Sequence, residues 1–382
     1  MRIASSLPLL FVSLLSACGG SVSEGTADAG CDGAHCGSPI GPPGEAGPIP
    51  EASVPEASVP DADATPPVAG AKPPARPTTG GGGTATTRWF AVKRLQLGVS
   101  DRVTGAPSAY AWQQYGWDLD GRATSAEDSK ISLDSCKRPA GSPTKVLTDG
   151  ALGRDNNFGQ HFMAVMKSLK SDIEEAVNGQ IAGGESTLLL RLDGVGGDDD
   201  PSVPGALYVA GARGAAPMWD GADVWPIDGT SVDSMKEPKA KFPKGYMAGG
   251  VWVSGEIGST TTAFPLPGFL GMGAWVTLES AVLTFDVKTG ANGTIGGGVA
   301  VSNLIAGFRP AFESFGICPG NATYDQLVMT LAQSADLVSG APQLQDTART
   351  CDAISIGLGF VAVPVQPATS IVTKPAPPSE CP

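Results

Sequence analysis

Histidine is nearly missing from this chain: His35 and His161 are the two copies in 382 residues. A multi-histidine metal centre is therefore excluded unless it uses both. Charge is sparse too, at 16% of residues, where a globular chain usually carries about a quarter. Basic side chains are the scarcer kind: 25 Lys and Arg against 38 Asp and Glu leave a formal net charge of −13. Nucleic-acid binding rests on clustered cations that neutralise phosphates, so nucleic acid is excluded as a partner. No Gly-x-Ser-x-Gly elbow occurs; Ser355, in Ala353-Ile354-Ser355-Ile356-Gly357, lacks the first glycine. Gly293 to Gly298 (GTIGGG) lacks the Lys-Ser/Thr of a phosphate-binding loop and reads as a hairpin turn. No repeat of 20–50 residues is visible, which disfavours propellers and solenoids.

Glycine and proline are abundant, 52 and 33, and unevenly spread. The chain opens with MRIASSLPLLFVSLLSACGG, a basic Arg2 followed by an apolar stretch from Ile3 to Leu15. That stretch falls short of the roughly 20 apolar residues needed to span a bilayer, so residues 1–17 read as an export signal. The segment Leu15-Ser16-Ala17-Cys18 resembles the lipobox of bacterial lipoproteins, whose cysteine is acylated and becomes the new N-terminus. The resemblance implies a lipid bilayer as partner through acylated Cys18, with acyl chains of the palmitate kind. Dual acylation suffices for stable anchoring. Gly19 at the next position implies, by the sorting rule of enteric bacteria, the outer membrane. The expected location is the cell envelope.

Residues 18–87 are Gly, Ala, Pro, Ser, Glu and Asp with few bulky apolar side chains, and include the duplication EASVP-EASVP at Glu51 to Pro60. Such a composition buries too little apolar surface to offset ordering entropy and predicts a disordered linker. Its random-coil reach would be roughly 45–50 Å. The glycines keep no Gly-X-Y period, which excludes collagen.

Seven cysteines become six once Cys18 is assigned to lipid. In an oxidising compartment the six can pair. Cys31 and Cys36 are close enough to close a small loop within the linker. Cys318 and Cys351 flank one helical excursion and are the expected pair, leaving Cys136 with Cys381.

Residues 88–378 hold the periodic pattern of a β-rich extracytoplasmic domain. Strands are predicted at Arg88 to Val99, with a change of phase near Lys93, and at Ser186–Leu192, Ala206–Ala210, Gly250–Glu256, Ala274–Asp286, Gly297–Val301 and Ser355–Val365. Phe158, Phe162, Val165, Leu169, Ile173 and Val177 recur at steps of three and four, predicting a helix over Asn157–Asn178 capped by Asp155 or Asn156 and left at Gly179. A second helix is predicted over Thr323–Val338. Strands that seldom alternate with helices give a mainly β fold, an antiparallel β-sandwich or jelly-roll-like domain with one or two packed α-helices.

Two acidic stretches stand out. Trp117-Asp118-Leu119-Asp120-Gly121 and Asp149-Gly150 to Asp155-Asn156-Asn157 place carboxylates and an amide beside turn-forming glycines. Asp118, Asp120, Asp149, Asp155 and Asn156 therefore form a candidate Ca²⁺ ligand set, since a hard cation takes several oxygens. The same residues also fit Asx-turns and a helix cap. No other cofactor is indicated. Asp193 and Asp198–Asp200 read as a solvated loop. His161, alone in the domain, reads as a half-buried structural histidine. Trp112, Tyr115, Trp117, Trp219 and Trp225 fit either core packing or a carbohydrate-stacking face. DLDG followed by DGxxGxDNxFG, with AISIGLGF near the C-terminus, is similar to uncharacterised predicted lipoproteins of high-GC Gram-negative bacteria. That similarity implies a shared fold and envelope location and carries no activity or functional residues.

The expected function is a membrane-anchored envelope lipoprotein presenting a β-rich binding or structural domain on a flexible stalk, with a carbohydrate or envelope protein as ligand. The alternative is an extracytoplasmic hydrolase acting on glycans or peptides through a carboxylate pair in a cleft.

Overall fold

Alternating apolar positions build the strands seen in the computed structural model, which describes residues 70–124, 134–269, 272–373 and 379–381. Twelve strands are present among these residues: β1 (Thr86–Gln96), β2 (Leu188–Val195), β3 (Gly205–Val209), β4 (Ile227–Asp228), β5 (Ala240–Phe242), β6 (Tyr246–Ala248), β7 (Val251–Val253), β8 (Thr262–Phe269), β9 (Met272–Asp286), β10 (Gly293–Ala300), β11 (Ala353–Val365) and β12 (Ile371–Val372). Ten belong to one antiparallel sheet ordered β5-β3-β2-β1-β11-β10-β9-β7-β6, with β8 also paired to β9; β4 and β12 form a separate parallel pair. The fold is mainly β with a few packed helices, as the sequence pattern predicts. Its strands curl as one sheet, and the two ends of the strand order, β5 and β6, are separated in the chain by Pro243 to Gly245 alone. Lys241 N on β5 donates to Thr262 Oγ1 on β8 (3.2 Å), so the curl brings opposite parts of the sheet together.

The bulge that closes this curvature is written in β1. Phe90, Val92, Leu95 and Leu97 all face the main core, a step of three between Val92 and Leu95. The register with β11 shifts between Val92 and Arg94, so Lys93 is the extra residue behind the change of phase. On β11, Ile354, Ile356, Leu358 and Phe360 enter the same core, while Ser355, Gly357 and Gly359 line the other face.

Four helices join this core: α1 (Met163–Leu169), α2 (Ile173–Gly183), α3 (Val301–Glu313) and α4 (Ala322–Gln333). The single helix expected over Asn157–Asn178 is instead a π-turn at Phe158–Phe162, then α1, a break at the extended Lys170, and α2. The π-turn inserts one residue per turn and moves the buried face from Val165 to Met163 and Met166. Gly179 does not end the helix; α2 continues to Gly183 and stops at Gly184, whose φ of 77° is left-handed. α4 covers the first part of the second expected helix, with Asn321 as its cap accepting from Tyr324 N (2.8 Å), but ends at Gln333, and residues 335–338 leave the helix to meet β11, where Leu337 bridges Ala353. GTIGGG is strand β10, not a turn, and α3 follows it directly. Those glycines sit under large neighbours: a Cβ on Gly296 would lie 2.4 Å from the Trp117 ring, and one on Gly297 2.6 Å from Leu278.

The folded part begins earlier than expected. Within 70–87, assigned above to the linker, Ala71 N donates to Leu152 O (2.7 Å) and Ala71 O accepts from Asp118 N (2.9 Å). Tyr246 Oη donates to Pro74 O (2.6 Å), and the Arg76 guanidinium lies over the Tyr246 ring at 4.4 Å. Composition misses this because the segment is held through its backbone and one stacked arginine rather than through its own apolar side chains.

The disulfides also differ from expectation. Cys136 pairs with Cys351 and Cys318 with Cys381, not Cys318 with Cys351 or Cys136 with Cys381. Cys351 lies beside the start of α3, where Val301 N donates to Asp352 O (2.9 Å). Cys318 follows the far end of that helix, whose 13 residues put roughly 20 Å between its termini. A disulfide needs Cα atoms within about 7 Å, so residues at opposite ends of one helix cannot bridge. Cys18, Cys31 and Cys36 lie outside the described residues. Structural disulfides of this kind belong to an oxidising, extracytoplasmic compartment. Among the described residues no helix is long and apolar enough to cross a membrane.

Candidate functional site

The outer face of β11 and β10 is a stripe of small residues, and the acidic segments lie across it. A Cβ on Gly357 would stand 2.6 Å from Tyr115 O and 2.7 Å from the Asn156 amide carbon; one on Gly359 would meet the Tyr115 ring at 2.3 Å. Glycine at both positions lets the 115–122 and 155–157 segments rest directly on the sheet. Gly357→Ala is accordingly expected to destabilise the protein by about 1–3 kcal/mol through overpacking. Gly179→Ala, where a Cβ meets open space on an exposed helix face, should instead add up to about 1 kcal/mol. Paired urea melts that failed to separate the two variants would contradict this account.

Resting there, Asp118, Asp120 and Asp155 are all buried and bring one carboxylate oxygen each to within 4.8 Å of one another. Asp155 Oδ2 accepts from the backbone N of Leu119 (2.6 Å) and Asp120 (3.4 Å), which folds the Asp118–Asp120 turn over it. Asp120 Oδ1 accepts from Arg122 N (2.8 Å), and its carboxylate also meets the Ser135 hydroxyl. Asp149 is half-buried, accepts from Thr124 N (2.5 Å) and hydrogen-bonds the Asp155 carboxyl, an arrangement that requires a shared proton. Asp118 differs: Oδ2 presses on Gly70, where a Cβ would fall 1.6 Å away, and Oδ1 has no hydrogen-bond partner.

Sequence reading missed a fifth carboxylate. Asp336, just after α4, is buried; its Oδ1 accepts from Ser355 N (2.8 Å) and its Oδ2 from Ser355 Oγ (2.5 Å). Ser355 Oγ in turn accepts from Asn157 N (2.7 Å), linking the helix start to the cluster. The available signal was a lone aspartate between Ala335 and Leu337 at the end of an amphipathic helix, where an unpaired charge is out of place.

Burial dominates the electrostatics. It pushes the Asp155 carboxyl well above the usual range, reinforced by the charges of Asp120, Asp149 and Asp336. Asp149 is raised by burial and then by Asp120, and Asp118 and Asp120 rise by burial. Asp336 is pushed up to about 7, again chiefly by burial.

Asn156 leaves the candidate ligand set. Its Oδ1 accepts from Gly159 N (3.0 Å) and Gly357 N (2.9 Å), and its Nδ2 donates to Trp112 O (3.0 Å). It is a helix cap and a sheet tie, with no oxygen left for an ion. The acidic run at Asp198–Asp200 behaves as a loop, with Asp198 paired to Lys288 (2.6 Å), Asp199 accepting from Gly249 N (2.7 Å) and Asp200 from Ser202 N (3.0 Å). Asp193, by contrast, lies within strand β2, paired with Arg191 (3.1 Å), and not in a loop. His161 is half-buried, and burial lowers its pKa. Trp112, Tyr115, Trp117 and Trp225 are buried, so core packing uses them and they offer no face for stacking sugars. Trp219 is half-buried against Trp225, with ring centroids 6.0 Å apart. The chain matches no family model, no curated protein and no solved structure.

Proposed function

We propose that this chain is a lipid-anchored protein of the bacterial envelope and that its β-rich domain serves as a binding or structural module.

 The observation that carries this reading is the run Leu15-Ser16-Ala17-Cys18 closing a short apolar leader, the pattern that marks a cysteine for acylation. Residues 19–69, rich in Pro, Gly and Ala, would hold the domain away from the bilayer. The two disulfides of the domain are compatible with that compartment. Gly19 favours the outer membrane by the enteric sorting rule. A ligand for such a module would be another envelope protein or a surface polysaccharide bound through polar contacts, since Trp112, Trp117 and Trp225 are buried.

The test is metabolic labelling of the full chain with an alkyne analogue of palmitate in a Gram-negative host, followed by membrane fractionation. Wild type should take up label and sediment with outer-membrane vesicles. Cys18→Ser should lose the label and leave the membrane fraction. Equal labelling of the two proteins would overturn the lipid anchor, and label confined to inner-membrane vesicles would overturn the outer-membrane assignment.

A further inference from the structure

The carboxylate cluster under the β10–β11 face has the geometry of a cation site. Ca²⁺ binds oxygens at 2.3–2.6 Å, so two ligands of one ion lie at most about 5 Å apart. The Asp118, Asp120 and Asp155 oxygens, mutually within 4.8 Å, meet that condition together. A second and independent observation is Asp118 Oδ1. The residue is 4% exposed, and this oxygen has no hydrogen-bond partner, although a buried carboxylate oxygen is ordinarily satisfied. The other two carboxylates are already aimed: Leu119 N holds Asp155 and Arg122 N holds Asp120, as hydrogen bonds to the ligands of a metal fix their orientation. Asp336 is satisfied by Ser355 and lies outside the ligand set.

We propose that Asp118, Asp120 and Asp155 form a structural Ca²⁺ site that locks the 115–122 turn to the start of the helical segment at 155–158. Oxygen-only ligation selects a hard cation, and the absence of His or Cys from the three excludes a zinc-type centre. The ion would also join Gly70 and the segment after it to the domain, because Asp118 packs on Gly70 and its N–H bonds Ala71 O.

The experiment uses the full chain. Its melting temperature is measured in EDTA, in millimolar Ca²⁺ and in millimolar Mg²⁺, and bound calcium is counted by equilibrium dialysis. The expected result is one tightly bound Ca²⁺ per chain and a rise of about 5–10 °C in Ca²⁺ over EDTA, as expected for a ligand at a hundred or more times its dissociation constant. Asp118→Asn should lose both the ion and the rise while keeping its EDTA melt. Asp198→Asn, in the exposed loop, should keep both. Wild type with no bound calcium and no shift overturns the proposal, as does a full response retained in Asp118→Asn. A larger shift in Mg²⁺ than in Ca²⁺ overturns the choice of ion. Should Asp118→Asn fail to fold, the wild-type count and shift still decide the matter.

Discussion

Stripped of divalent cations by EDTA, the full chain is expected to lose stability as pH rises from 5 to 8. The sign follows from the raised carboxyls. Asp336 has an ordinary value of 3.8 and is held at about 7 in the folded protein by burial. Below pH 3.8 it is protonated in both the folded and unfolded chain, and its contribution is fully present. Between 3.8 and about 7 the unfolded chain ionises freely while the folded chain still binds the proton, so stability falls with each unit of pH. At about 1.4 kcal/mol per unit, Asp336 alone accounts for a loss on the order of 4 kcal/mol by neutral pH. Asp120, Asp149 and Asp155 are shifted in the same direction, so they deepen the slope. His161, lowered by burial from 6.5, contributes the opposite sign and stabilises as pH rises. Asp101, Asp172 and Asp286 have lowered values and act below the window.

Urea midpoints at pH 5, 6, 7 and 8 in EDTA measure the slope. A flat or rising profile would show that the folded protein does not hold these protons. Asp336→Asn preserves an acceptor for Ser355 N and removes the titration, so its profile should be shallower by most of the Asp336 share. With Ca²⁺ present the wild-type slope should flatten, because the ion favours ionised Asp118, Asp120 and Asp155.

The second large effect belongs to the disulfide between Cys136 and Cys351. It spans 215 residues, is buried at both ends and is flanked by hydrogen bonds from Lys137 N to Arg349 O (2.8 Å) and from Cys351 N to Lys137 O (2.9 Å). Cys136 Sγ also contacts Asp336 O (3.2 Å), so the bridge braces one wall of the acidic cluster. Replacing both cysteines by Ala should cost about 2–5 kcal/mol and shift the urea midpoint accordingly. The pair Cys318–Cys381 closes a shorter loop of 63 residues and holds the C-terminal segment beside Glu313, where Glu380 N donates (3.0 Å). Its removal should cost less. A double variant of Cys318 and Cys381 that destabilised more than that of Cys136 and Cys351 would reverse this ranking.

Much of the sheet is legible in the sequence because apolar alternation survives burial on one face. β1, β2, β3, β7, β9, β10 and β11 all overlap predicted strands, and the odd step at Lys93 betrays its bulge. Other elements leave weaker traces. β5 and β6 are three residues long, too short for a period to register. α3 carries Pro310 and follows a glycine run, both of which argue locally against a helix, yet Leu304, Phe308 and Phe312 bury enough surface to override them. In the site, Asp118, Asp120, Asp149 and Asp155 are visible as local grammar beside glycines. Asp336 and the ties of Asn156 are not, because their partners on β11 are remote in sequence. Cysteine pairing failed for the same reason: proximity along the chain says little about the two ends of a rigid rod.

The order of the strands sets when this protein can fold. β1, the first to be synthesised, lies in the middle of the sheet between β2 and β11, and β11 is the last of the ten. Until β11 is made, β1 has one free side; Cys136 has no partner before residue 351 is available, and Asp336 lacks Ser355 before residue 355. Pairings of such long range are slow, in the range of milliseconds to seconds or beyond. A nascent chain therefore spends most of its synthesis with an open strand at its centre and a reduced thiol at Cys136, and a truncation anywhere before β11 leaves no smaller version of the same sheet.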